Sequence, residues 1–195
     1  MTLSLREKRR LETARDIHKV TLNLAEAHGL DEITTEEIAA AASISTRTFF
    51  NYYANKEAAA IGTPPGFRAE DKRALCTGTT PISQDLKTFL DTHIARLAEN
   101  ETILRKVRKI AHENAKARAV LDSILASECE ELATCLRSRL VDPHVATALA
   151  NFGVTATAQS IRLWERSDDL SLPEAFNRIW NSQIAAAQLL TVSTS

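Results

Sequence analysis

Apolar residues recur along most of this chain at intervals of three and four, the period of a helix with one buried face. Stretches that alternate apolar and polar residues over the length of a strand are few. The first periodic run, Leu11, Ala14, Ile17, Thr21, Leu24 and Ala25, predicts a helix from about Arg6 to His28, stopped by Gly29. Thr34 and Glu37 have the spacing of a capping box and predict a second helix ending within Ala39–Ala42. Ser43-Ile44-Ser45 then makes a turn, Ser45 caps a third helix reaching about Tyr53, and Asn55 caps a fourth starting at Lys56.

Further on, Ser83 is expected to cap a helix whose stripe is Leu86, Phe89, Leu90, His93, Ile94 and Leu97. Another carries Ile103, Leu104, Val107 and Ile110, and a long one runs from Val120 to Leu140. Asp142-Pro143, a cap followed by proline at the first helical position, opens the next. Ser171 and Glu174, with Pro173 in the first turn, open the last. The expected fold is all-α, with about nine helices.

Breakers refine the division of the chain. Gly62, Gly66, Gly78, Pro64, Pro65 and Pro81 fall together, so 62–81 is expected to be a connection between domains 1–61 and 82–195. Net charge is −1 and gives no global sign of a nucleic-acid partner. Locally, Arg6, Lys8, Arg9, Arg10, Arg15 and Lys19 outnumber Glu7, Glu12 and Asp16, which fits either a phosphate-seeking end or a solvated helix face. Cys76, Cys129 and Cys135 show no metal-type spacing with the histidines. Their odd, sparse count suggests reduced thiols and a cytoplasmic protein. The charged N-terminus does not resemble a signal peptide. No apolar run approaches the ~20 residues of a membrane span, so no membrane partner is expected.

The segment 34–53 has the requirements of a helix-turn-helix. Ile38, Ala39 and Ile44 face inward, and small residues fill the crossing. Arg47 and Asn51, four residues apart, share one face of the third helix, suited to guanine and adenine edges respectively. Thr46, Thr48 and Tyr52 supply hydroxyls suited to phosphate oxygens.

Residues 6–61 resemble the DNA-binding domain of the tetracycline-repressor family. The resemblance rests on Thr35, Ile38, Ala39, Ala42, Ile44, Ser45, Thr48, Phe50, Tyr52, Tyr53, Lys56 and Glu57 at their spacing here. It implies a three-helix DNA-binding domain, a larger helical ligand-binding domain and dimerisation through the last two helices. By the same resemblance Thr35, Thr48, Tyr52 and Lys56 touch phosphate, while Thr46 and Arg47 read bases. Ser45, Phe50 and Asn51 complete the DNA-binding set. Two positions depart from the family: Ser43 stands where glycine is common, and Phe50 where tyrosine is common. The second removes a hydroxyl that often bonds phosphate.

No catalytic constellation stands out in 62–195, so no enzyme and no cofactor are expected; His112-Glu113 lacks the second histidine of a zinc protease. His93, Arg108, His112 and Phe152 are the candidate ligand contacts, His93 fitting a core histidine as well. The basic run Arg105, Lys106, Arg108 and Lys109 suits an acidic effector, the side of the first domain, or plain solvent. Phe152, Trp164, Phe176 and Trp180 are large anchors on the last two helices, where the resemblance implies a dimer interface. The expected protein is a ligand-responsive regulator, more in the manner of a repressor, binding a palindromic double-stranded operator as a homodimer with a small-molecule effector. A helical ligand carrier or adaptor without DNA binding is the alternative.

Overall fold

Ser4 and Glu7 cap each other's backbone amides, so the first helix begins at Leu5, slightly ahead of its apolar stripe. A computed structural model describes residues 4–191, and among them every regular element is helical. The helices are α1 (Leu5–His28), α2 (Thr35–Ala41), α3 (Thr46–Phe50), α4 (Lys56–Ile61), α5 (Ala69–Thr77), α6 (Ile82–Ala98), α7 (Glu101–Glu113), α8 (Ala115–Arg137), α9 (Pro143–Glu165) and α10 (Leu172–Thr191). The all-α expectation holds. The addition to the expected set is α5: the breakers lie at the two ends of 62–81, and the sequence between Gly66 and Gly78 contains neither glycine nor proline.

Two compact units result. One comprises the chain up to Pro64 together with Thr102–Ile124; the other comprises Pro65–Glu101 and the chain from Leu125 onward. In the first unit Ile17, Leu22, Ile38, Phe49 and Ile61 are fully buried. Each removes enough apolar surface from water to contribute roughly 1.5–3 kcal/mol. Of the basic run, Lys106 turns to α1, pairing with Glu26 at 2.7 Å and donating to the Asn23 side chain at 3.2 Å. Asn114 separates α7 from α8, caps α8 through the Ala117 amide at 2.8 Å, and donates to Asp31 at 2.8 Å.

The second unit packs α6, α9 and α10 together, with α5 against α6. Trp164 and Phe176 are fully buried there, and Trp180 nearly so. Phe152 meets the Trp180 ring edge-on at 5.3 Å. Trp164, Phe176 and Trp180 thus belong to the unit's own core, and Phe152 is half-buried beside them. Asp142 caps α9 and the Ser171–Glu174 box opens α10, as their spacing predicts. Ser83 is not a cap: α6 starts one residue earlier, after Pro81. Arg139 holds the approach to α6, bonding Asp85 at 2.6 Å and the carbonyls of Leu75 and Thr80 at 3.1 and 2.7 Å.

The expectation of three reduced thiols is overturned. Cys76 on α5 and Cys135 on α8 are joined by a disulfide, with Cα atoms 5.1 Å apart, and Cys129 is free. A separation of 59 residues hides such a pair from any local spacing rule. No helix among the described residues is long and apolar enough to cross a membrane. Alkylation of the unreduced, denatured protein is expected to label Cys129 alone, and reduction to expose all three cysteines. Reduction should also lower stability by about 2–4 kcal/mol, read as a fall in the denaturation midpoint. Full labelling before reduction would contradict the bond.

Candidate nucleic-acid interface

The Thr34–Glu37 box is formed: the Glu37 amide donates to the Thr34 hydroxyl at 3.2 Å, and the Thr34 amide to the Glu37 carboxylate at 2.7 Å. Those bonds hold the Glu37 carboxyl below its ordinary range, the Thr34 backbone contributing most. At the other end of α2, Ile44 N donates to Ala39 O and Ser43 N to Ala40 O, the paired bonds of a Schellman motif. That motif puts a left-handed residue after the helix, and Ser43 takes the role with φ 56°. The family's glycine has a physical reason here, since a Cβ disfavours this conformation.

Ser45 caps α3, accepting from the Thr48 amide at 3.0 Å, and its hydroxyl lies 2.8 Å from that of Thr48. With only five residues, α3 is held by its surroundings. Phe49 is fully buried beneath it, and the Tyr53 hydroxyl donates to Ala14 O of α1 at 3.0 Å. His18 Nδ1–H of α1 donates to Ala59 O of α4 at 2.8 Å, and burial pushes this imidazole's pKa down. Asn55 caps α4 through the Ala58 amide at 2.7 Å. Helix α4 then stops at Gly62, with φ 69°, where an added Cβ would lie 2.6 Å from the His18 ring. The break expected at Gly62 is therefore present.

None of the residues expected to meet DNA is buried. Ser45, Arg47, Phe50 and Asn51 are exposed; Thr35, Thr46, Thr48, Tyr52 and Lys56 are half-buried. Helix α3 ends earlier than expected, so Asn51 is its C-terminal cap, still in helical geometry. Phe50 keeps 53 % of its surface exposed while meeting Phe49 edge-on at 5.4 Å. Lys56 has a role that sequence reasoning missed: its ammonium donates to the carbonyls of Asp31 and Ile33, both at 2.9 Å. It therefore ties α4 to the loop before α2.

The candidate ligand contacts are not brought into one place. Arg108 and His112 lie on α7 in the first unit, while His93 and Phe152 lie in the second. The structure packs Phe67 against His93 and pairs the neighbouring Arg96 with Asp71. Arg96 sits three residues beyond His93, one turn along the same stripe, a signal that was present in the sequence. Among the described residues no cluster of His, Cys, Asp and Glu is suited to a metal ion.

Residues 17–59 match the family of bacterial regulatory proteins, tetR family. Over 51 residues the chain is 43 % identical to MftR of Mycobacterium tuberculosis, a proposed mycofactocin biosynthesis transcriptional regulator. That match covers 26 % of this chain and 26 % of MftR, so about a quarter of the relative's length is spanned. Solved structures extend the likeness along the fold. Thermus thermophilus FadR, a TetR-family transcriptional repressor in complex with lauroyl-CoA, aligns over 93 % of this chain and 97 % of its own. Its TM-score is 0.56 and its identity 22 %. A TetR-like transcriptional regulator from Rhodococcus aligns over 92 % and 96 %, with TM-score 0.52 and identity 18 %. The family resemblance and the fold expected from residues 6–61 are borne out.

Replacing Ser43 with glycine should relieve the left-handed strain. The expected gain is about 1 kcal/mol, measured by urea denaturation of the full chain. Ser43→Ala should bring no such gain, and an S43G protein no more stable than the parent would contradict this account of the turn.

Proposed function

We propose that this chain is a ligand-responsive transcriptional repressor that binds a palindromic operator as a homodimer, and that it is not an enzyme. The observation that carries the reading is the Ser45-capped helix α3 with Arg47 and Asn51 exposed, inside the segment matching the tetR family. Arg47 has the fork that suits a guanine O6/N7 edge, and Asn51 the amide that suits adenine. Thr46 lies beside Arg47 for base contact, and Ser45 opens the helix whose first amides face phosphate. Thr35, Thr48, Tyr52 and Lys56 serve the phosphates; Lys56 does so from an ammonium already fixed by two carbonyls. Phe50, lacking a hydroxyl, meets DNA through its exposed ring, which suits a thymine methyl.

A second copy supplies the other recognition helix about 34–36 Å away, matching successive half-sites. Leu189 and Leu190 near the end of α10, 78 % and 87 % exposed, are apolar surface for that pairing, beside the core anchored by Phe152, Trp164, Phe176 and Trp180. An effector bound in the second unit shifts operator affinity by its preference between two states, typically about 1–3 kcal/mol. Lauroyl-CoA, found in the Thermus repressor, is a starting compound for effector screening.

The test is fluorescence anisotropy with duplex from upstream of the coding sequence, a scrambled control and two salt concentrations. Selective binding that weakens with salt is expected, with Arg47→Ala losing about 1–3 kcal/mol of discrimination. Equal, weak binding to both duplexes would favour a helical ligand carrier instead.

A further inference from the structure

Buried polar atoms are normally hydrogen-bonded, and the exceptions in this structure gather in one place. Among the described residues, apart from Gln183 Oε1, every such unpartnered side-chain atom belongs to Asp71, His93 or Arg96. His93 and Arg96 lie one turn apart on α6, only 4 % and 8 % exposed. The unpartnered atoms of Arg96 are Nε and Nη2, which together form one edge of the guanidinium. That edge carries two parallel N–H donors and matches the two oxygens of a carboxylate. Asp71 on α5 approaches Nη2 alone, at 3.3 Å, without forming a hydrogen bond. The charge is therefore balanced by an ion pair, while neither donor of the edge makes a hydrogen bond.

The surroundings limit what can fill it. Burial, with Arg96 adding to it, pushes the His93 pKa down to about 4. Burial, with Glu131 adding to it, pushes Glu128 up to about 7. Near neutral pH the imidazole is uncharged and the Glu128 carboxyl is substantially protonated, so neither sets a full charge beside Arg96. Glu131 is itself paired with Lys72 at 3.0 Å. Phe67, half-buried on the non-helical segment before α5, packs on Phe89 at 4.7 Å and on the His93 ring at 4.8 Å, giving the donors an apolar wall.

We infer that the Nε/Nη2 edge of Arg96, backed by His93 and walled by Phe67 and Phe89, is the headgroup site for an effector carrying one carboxylate on an apolar body. The inference rests on the ligand-responsive reading above and names the chemistry of the ligand. The carboxylate takes both donors and displaces Asp71 from Nη2. A phosphate monoester suits the site less, because its second negative charge adds to the repulsion from Asp71.

The experiment is calorimetric titration of the full-length protein with decanoate, decanol and decyl phosphate, with binding to selected duplex DNA measured on the same preparations. Decanoate should bind most tightly. R96Q and R96K should each weaken it at least about tenfold, since lysine keeps the charge but loses the fork. Decanol binding should be the same in parent and variants. D71N, which removes the competing carboxylate and keeps Arg96, should bind decanoate severalfold more tightly, the opposite of what a purely structural ion pair gives. Decanoate binding unchanged in R96K, weakened in D71N, or weaker than decyl phosphate binding would overturn the inference. So would duplex binding without any decanoate binding, which leaves the regulator reading standing; absence of selective duplex binding by the ligand-free parent instead contradicts that reading.

Discussion

A helix of five residues is too short to persist in water, because nucleating a turn costs more than so few hydrogen bonds return. Everything proposed for DNA reading depends on how the rest of the first unit holds α3 in place. Phe49 supplies the burial, Ser45 satisfies the Thr48 amide, and Tyr53 ties the chain beyond the helix to α1. Helix α1 in turn is locked to α4 through His18, whose ring leaves no room for a side chain at residue 62. The side chains left outside this framework, Arg47, Phe50 and Asn51 among them, are free to meet another molecule.

Local chemistry explains why much of this was legible in the sequence. Capping by Thr34, Ser45, Asn55, Asp142 and Ser171 depends on residues two or three positions away, so each helix start is written beside itself. What was not legible depends on distant partners or on breakers read as a block. Helix α5 was hidden between two breaker clusters, and the Cys76–Cys135 bond by the length of chain between its ends. The aromatic anchors of α9 and α10 announce burial by their type, yet nothing in their spacing says whether the burying surface lies in the same chain. Ser83 is instructive in the other direction: a good capping residue one position inside a helix caps nothing.

The two units also differ in how they treat polar groups. In the first, buried or half-buried donors and acceptors find partners: Thr21 bonds Ile17 O, Asn114 bonds Asp31 and the Ala117 amide, and Lys56 bonds two carbonyls. In the second, Arg96, His93, Asp71 and Gln183 leave atoms without a hydrogen bond, although Asp71 and Arg96 are ion-paired at 3.3 Å. The unused hydrogen-bonding capacity among the described residues thus lies in the second unit, where an effector is expected.

The central claim is that paired copies of α3 read DNA. Selection of duplexes from a random library by the full-length protein, followed by sequencing, tests it most directly. The account predicts enrichment of inverted repeats whose half-sites lie about one helical turn apart, with two chains bound per duplex. Absence of any enriched sequence, or enrichment of a single asymmetric site bound by one chain, would contradict it.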